Sequence, residues 1–434
     1  MIKKTALFLT LLFLCAAFLP AQRYRIKYSS DDKDPISLEN AIRLALENNY
    51  DLLLTEQDVV IAQQRLKEAR FLYLPQVSVN AGATAYSLDS PMVLPENLGQ
   101  RFLMPKTAGS NGDLFLGAGV SATQYLYTGG RTSSTVSMAN SALKEAMSRY
   151  EAVKSSVVYR TKAAFWEYLF LQQKEALVKE AANKARRILA KTQFKKWEEV
   201  LVKAQMASFE REVHKVEEEL NTAHLKLLSV LNKELNGKIY ISGSFEFKPV
   251  DIDLAKITLW AMEFRPELKS ALYKLEMDNI AVKLSLAKRY PDVLLGVGYD
   301  RLGQNNINDE NFQATLALRL PLGYDFGTQL KQKRAEQRQT TLKRAAIEDA
   351  IRLQVREAYS NVVYWQDEVS ARAKTWEELS RELKNIDDTS FPSTEIIKAF
   401  DYYYKTGVAY LEGIKRHMLA VADLELAVGQ DIRE

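Results

Sequence analysis

Few residues in this chain are spaced for chemistry. The histidines His214, His224 and His417 never fall at a metal-ligand spacing such as i,i+4. His417 falls on an apolar helical seam and reads as a packed or hydrogen-bonded residue. The single cysteine, Cys15, lies in an apolar run from Leu7 to Leu19 preceded by Lys3 and Lys4. That is the form of a secretory signal over residues 1–21, cleaved after Ala21, which leaves the mature chain without a thiolate or disulfide. Leu14 before Cys15 fails the small-residue requirement for acylation. Gly117-Ala-Gly119-Val-Ser-Ala122 matches a dinucleotide fingerprint in letters, yet it lies inside a strand pattern rather than opening a helix. No nucleophile–base pair and no paired carboxylates stand out, so the expectation is no enzyme, no metal and no cofactor. A formal charge of +4 over 434 residues is too weak to suggest a nucleic-acid partner.

The elements that carry these residues occur twice. Ala69-Arg-Phe-Leu-Tyr-Leu-Pro75-Gln-Val-Ser-Val-Asn-Ala-Gly82 and Ala287-Lys-Arg-Tyr-Pro291-Asp-Val-Leu-Leu-Gly-Val-Gly298 both switch from a helical period to an alternating one at a proline. Pro75/Pro291, Gly82/Gly298, Ala45/Ala261, Glu47/Glu263 and Leu52/Leu268 keep one offset of 216 residues. The division this predicts is a polar tail at 22–37, a first repeat at 38–232, a connector at 233–253 and a second repeat at 254–434.

In the first repeat, Ala41, Ala45, Leu52, Val59, Ala62, Leu66, Ala69 and Tyr73 form a heptad seam, predicting one helix from Leu38 to Leu74. Val77, Val79, Ala81, Ala83 and Ala85 then alternate with Gln76, Ser78, Asn80 and Thr84, predicting a strand. Proline-rich Ser87–Gly112 reads as a loop, and a second strand ends at Thr128-Gly129-Gly130. From Arg131 to Thr192 no proline or glycine intervenes; about 60 residues at 1.5 Å rise span roughly 90 Å, which demands a long helical partner. Residues 193–200 read as a charged turn before a return helix. Ile239–Phe247 in the connector reads as a short strand or hairpin. The second repeat predicts a helix Leu254–Arg289, strands Pro291–Arg301 and Phe312–Leu320, and a turn Pro321–Gly327. A helix Thr328–Ile386, a turn Asp387–Pro392 and a last helix complete it. Lys331, Lys333, Arg334, Arg338, Lys343 and Arg344 read as a solvated helix face, or next as a lipid-headgroup contact. Tyr86, Tyr125, Tyr127, Tyr299, Tyr324 and Phe326 sit near predicted strand ends, where an interfacial girdle or ordinary cross-strand packing would place them.

Four strands per chain cannot close a membrane barrel, which needs about eight, and an open edge is not tolerated in lipid. The chain is therefore either soluble or shares a barrel with copies of itself. Two function classes follow: a conduit through an outer membrane, or a periplasmic coiled-coil scaffold or adaptor with a soluble β module.

The whole mature chain resembles the TolC-type outer-membrane efflux proteins. The pieces that carry the resemblance are the tandem helix–Pro–strand junctions, Gln124-Tyr-Leu-Tyr-Thr-Gly-Gly-Arg131, Leu320-Pro-Leu-Gly-Tyr-Asp-Phe-Gly327, Ala358-Tyr-Ser-Asn-Val-Val, and Tyr410-Leu-Glu-Gly-Ile followed by Leu424-Glu-Leu-Ala-Val-Gly429. The resemblance implies a mainly α chain with a β-barrel part. Long coiled-coil helices would form a periplasmic α-barrel, and four strands per chain would enter a twelve-stranded outer-membrane β-barrel shared by a homotrimer. Its partners would be a periplasmic adaptor, an inner-membrane pump and outer-membrane lipid. Pro75, Pro291, Gly130 and Gly327 would mark the helix–strand junctions. The hairpins depart from the family: Glu395 keeps one expected carboxylate while Lys398 replaces another, and Phe391-Pro392 replaces a glycine region. Glu395, Lys398, Asp387 and Asp388 become candidates for a periplasmic constriction closed by salt bridges, against the alternative of solvated i,i+3 helix charges. Lys196, Trp197, Glu198, Glu199 and Phe391 become candidates for adaptor contact. The cargo is not written in the sequence.

Overall fold

In chain order the elements are α1 (Leu38–Asn48), α2 (Tyr50–Phe71), β1 (Gln76–Tyr86), β2 (Asp113–Tyr127), α3 (Arg131–Leu189), α4 (Lys196–Val230), α5 (Leu254–Phe264), α6 (Pro266–Ala287), β3 (Asp292–Gln304), β4 (Ile307–Arg319), α7 (Phe326–Lys384) and α8 (Ser393–Val428). The computed structural model describes residues 35–86, 113–190, 196–304, 307–320, 325–384 and 393–432. The signal segment, the 87–112 loop, Tyr324, Asp387, Asp388 and Phe391 lie outside the described residues.

The single helix expected from Leu38 to Leu74 is two. Asn49 leaves helical geometry (φ −71°, ψ 122°), and its side chain accepts a hydrogen bond from Leu52 N at 3.2 Å, capping α2. The second repeat breaks the same way at Arg265 (φ −64°, ψ 121°), where Pro266 opens α6. Asn49 and Arg265 are again 216 residues apart, so the break belongs to the duplication. The heptad seam runs through both breaks without a change of period, which is why periodicity alone missed them. A helix end is docked on each. Asn232, at φ 51° beyond the end of α4, donates its side-chain amide to Asn48 O. Gly429, at φ 84° beyond the end of α8, lies against Arg265, and Arg265 Nη1 donates to Ala427 O at 3.1 Å.

The expected strand at Ile239–Phe247 is absent. Only an isolated parallel bridge joins Ile36 to Ile241, because Ile239, Ile241 and Phe245 turn onto α1 and α3 and join their apolar cluster instead. In the second repeat the strands are longer than alternation suggested: β3 and β4 pair continuously from Asp292↔Arg319 to Gln304↔Ile307. A backbone ladder can continue where side-chain alternation has lapsed. Residues 196–200, expected as turn, are the first turn of α4, and Gly327 lies within the first turn of α7 rather than in a turn before it.

The strands form one antiparallel sheet in the order β1-β2-β3-β4. Beyond it the helices follow the same order, α2-α3-α6-α7. Further along, α3 leaves α2 and α6 to pack between α4 and α8, with α7 outside α8. Of the seam predicted over 38–74, Ala41, Ala45, Leu52, Ala62, Leu66 and Ala69 are buried, Val59 is half-buried and Tyr73, beyond the end of α2, is exposed. Buried positions recur at helical spacing in α3 (Val157, Leu171, Val178, Ala182, Ala185) and α7 (Ile351, Val355, Ala358, Val362, Val369). Among the described residues no helix is long and apolar enough to cross a membrane.

Arg265 ties the α5–α6 break to the end of α8 through Ala427 O and to Glu267 at 3.1 Å. Replacing it with alanine leaves a buried carbonyl without its donor. The expected cost is about 1–3 kcal/mol, read as a lower denaturant midpoint with an unchanged slope.

Candidate functional site

The sheet is inside out by the standard of a water-soluble protein. Its register aligns Val77, Ala122, Val297 and Ala314 in one transverse row and Val79, Val120, Tyr299 and Phe312 in the next. These apolar rows face outward: Val79 is 76% exposed, Phe312 69% and Leu318 72%. The opposite face carries Ser78, Ser121, Gly298 and Gln313 in one row and Gln76, Thr123, Gly296 and Thr315 in another. On this face Gly298, Asp292 and Asp300 are buried, and Ser121 and Gln313 are half-buried. The Ser78 and Ser121 hydroxyls hydrogen-bond across it at 2.7 Å. Water rewards the reverse arrangement. Among the described residues the outer edges of β1 and β4 have no strand partner.

The two helix–strand junctions are joined to each other. Arg131, the first residue of α3, forms an ion pair with Asp292, the first residue of β3, whose side chain is almost fully buried. Gly129 has φ +59°, and a Cβ there would stand 2.4 Å from Tyr290 Cβ. Only glycine fits a left-handed backbone pressed onto that ring. Gly130 is also left-handed at φ +81°, but Gly327 is not among the positive-φ residues, so the two predicted junction glycines differ. Pro75 and Pro291 stand where expected, directly before β1 and β3. Phe71, Tyr73, Tyr125, Tyr127 and Tyr290 are exposed around this level. Phe326 receives the Arg289 guanidinium over its ring at 4.0 Å. Tyr299, expected near a strand end, is in mid-strand because β3 runs on to Gln304.

At the far end of the long helices, α3 and α4 meet α7 and α8 in one cluster that includes Leu177, Val178, Phe209, Ile397 and Phe400. Tyr404 donates to Glu212 at 2.9 Å, linking α8 to α4. Burial, then that hydrogen bond, holds the Tyr404 phenol above its ordinary range. Trp376 stacks on Tyr403 at 4.6 Å, and Lys184 lies 5.4 Å over the Tyr403 ring. Glu395 and Lys398 are both exposed, while Ile396, Ile397 and Phe400 between and beside them are buried. Among the described residues no ion pair joins Glu395 to Lys398 within the protomer. Trp197 is 71% exposed beside Lys196 and Glu198, and Glu199 pairs with Lys203 at 2.7 Å. In the basic stretch of α7, Lys333 pairs with Glu336 and Arg344 with Glu348.

Two further polar groups, His417 and Tyr159, are held within the helical packing. His417 is buried with its ring edge-on to Phe247 at 4.9 Å. Burial, and then its hydrogen bond to Asp423 and that carboxylate's charge, pushes the Tyr159 phenol up to about 12. Among the described residues no group of His, Cys, Asp or Glu is arranged to hold a metal. Sequence reasoning missed the Arg131–Asp292 and Tyr404–Glu212 pairs, whose members lie 161 and 192 residues apart and share no motif.

Long helical hairpins continue into a four-stranded sheet with an exposed apolar face and an opposite polar face. Residues 41–195 match the model of a family described as outer membrane efflux protein. No curated protein matches the chain significantly. Among solved structures, the open state of the Neisseria gonorrhoeae MtrE outer membrane channel superposes with a TM-score of 0.75 at 14% identity, over 91% of this chain and 89% of that one. The outer membrane protein VceC from Vibrio cholerae gives 0.73 at 15%, over 91% and 96%. The Campylobacter jejuni CmeC outer membrane channel gives 0.69 at 17%, over 90% and 85%. At such identities the likeness is one of fold. The resemblance to the TolC-type outer-membrane efflux proteins therefore holds in the family match and in the architecture.

Two predictions follow from this geometry. Asp292→Ala removes the partner of Arg131 and should cost about 1–3 kcal/mol, seen as a lower midpoint of denaturant unfolding in detergent. Tyr159 has a folded-state value raised above that of the unfolded chain, so its contribution is intact below pH 10 and is lost as pH rises towards about 12. Stability should fall over that window, and Tyr159→Phe should flatten the fall in a pH series of thermal melts.

Proposed function

We propose that the chain is the outer-membrane exit duct of a tripartite efflux or secretion system, working as a homotrimer whose helices lie in the periplasm. The observation that carries this reading is the inverted sheet, with an exposed apolar face, a sheltered polar face and two unpaired edges. Lipid suits the outer face and water the inner one. The edge of β1 in one copy finds its partner in β4 of the next, and three copies of four strands close a ring of twelve. The helices support the same closure. Leu54 on α2 is 67% exposed, and Leu342 and Leu353 on α7 are 71% and 57% exposed. These two helices are the outer members of the layer beyond the sheet, so each waits for its counterpart in a neighbouring copy.

In this reading the helical tunnel is closed at its periplasmic end and is opened by an adaptor and a pump. Glu395 and Lys398 face away from the buried seam of α8 and form salt bridges with a neighbouring copy, while Tyr404 and Glu212 hold the two hairpins of one protomer together. The exposed Trp197, with Lys196, Glu198 and Glu199, offers an amphipathic tip for an adaptor helix. The duct itself performs no covalent chemistry.

Fractionation tests the assembly: a heat-modifiable oligomer should be extracted from outer membranes by detergent, whereas a soluble periplasmic monomer would overturn the reading. Planar-bilayer recording tests the gate. Replacing Glu395 and Lys398 together with alanine should raise single-channel conductance and change ion selectivity, and unchanged values would remove both residues from the constriction.

A further inference from the structure

The polar face of the sheet holds a buried carboxylate with an orphaned oxygen. Asp300 is only 8% exposed, and its Oδ2 is out of contact with solvent and has no hydrogen-bond partner. In the ladder it stands in one transverse row with Asn80, Gly119 and Asn311. The carboxylate lies over Gly119, where an added Cβ would be 1.9 Å from Asp300 Oδ1. Glycine at that point on β2 lets the charged group rest against the sheet, with one exposed asparagine on β1 and another on β4 at the same height.

Among the described residues no ion pair joins Asp300 to a cation. Arg301, its neighbour in sequence, points to the opposite face and approaches Glu310 at 3.9 Å. Arg131 at the junction is paired with Asp292. Of the two adjoining rows on the polar face, Ser78, Ser121, Gly298 and Gln313 are neutral, and Gly82, Gly117, Leu302 and Asp309 add a carboxylate and no cation. A buried ion without a counter-charge is costly, several kcal/mol even after relaxation. Such a group persists when something outside the fold balances it. The donors available are a carboxylate and two amide oxygens, a set suited to hard cations and not to soft metals.

We propose that Asp300, with Asn80 and Asn311, forms a binding site for a hard alkali or alkaline-earth cation on the polar face of the sheet. The site rests on the reading of that face as a water-filled lumen, through which the ion reaches it. Three copies would place three such cations at one level of the pore wall, where they would neutralise a ring of carboxylates.

The test uses the full-length oligomer in detergent and its heat-dissociation temperature in EDTA and in excess calcium chloride or magnesium chloride. Calcium or magnesium should raise the wild-type value by about 3 °C or more. Asp300→Asn should abolish that rise while leaving stability in EDTA equal or higher, because the uncompensated charge is gone. Asn311→Ala keeps the carboxylate and removes one oxygen donor, so it should shrink the rise, and it decides the matter if Asp300→Asn does not assemble. A wild-type oligomer indifferent to both cations overturns the site alone. So does a full response in Asn311→Ala and Asp300→Asn, or an Asp300→Asn oligomer that is weaker in EDTA, which would assign the carboxylate to ordinary packing. If no outer-membrane oligomer forms, the duct reading fails and the site falls with it.

Discussion

Among the described residues the backbone N–H and C=O groups along the outer edges of β1 and β4 have no strand partner, and on one face the side chains beside them, such as Val79 and Phe312, are apolar and exposed. In hydrocarbon each unsatisfied group costs several kcal/mol, and in water a flat apolar edge is a template for aggregation. Neither solvent accepts this sheet as it stands in one chain. The demand for edge partners therefore reaches every other level of the structure. In the proposed homotrimer the two edges must be complementary, both repeats must enter the sheet at the same height, and the helices below must keep the strand order.

The helices meet that demand by repeating the sheet's order as α2-α3-α6-α7. The junction ion pair Arg131–Asp292 and the seat of Gly129 on Tyr290 fix the exit of the first repeat's strands to the start of the second's. Without them the two β-hairpins could slide, and a one-residue slip would turn the polar face outward. The breaks at Asn49 and Arg265 let the short helix α1 pack on α3 and the end of α4, and α5 on α7 and the end of α8.

Much of this was legible in the sequence. The duplication, the proline junctions, the alternating strands and the heptad seams depend on local period and on a constant offset, and both survive translation into letters. Buried positions such as Ala41, Ala45, Leu52, Ala62 and Leu66 follow the predicted seam because side chains three and four apart must share a helix face. Local period also misled. It ran straight through Asn49 and Arg265, it placed a strand at Ile239–Phe247 where tertiary packing takes the apolar side chains instead, and it stopped β3 and β4 short because polar residues can still pair their backbones.

What the sequence determined by itself was the kind of architecture: two repeats, long helices feeding short strands, and too few strands to close alone. That much is set by periodicity and backbone geometry, which act over a few residues. The tertiary structure decided which face of the sheet shelters Asp300, which residues lock the junctions, and how Tyr404 reaches Glu212. Those contacts join residues far apart in the chain, and their energies depend on distance, burial and solvent, quantities that exist only once the chain has folded.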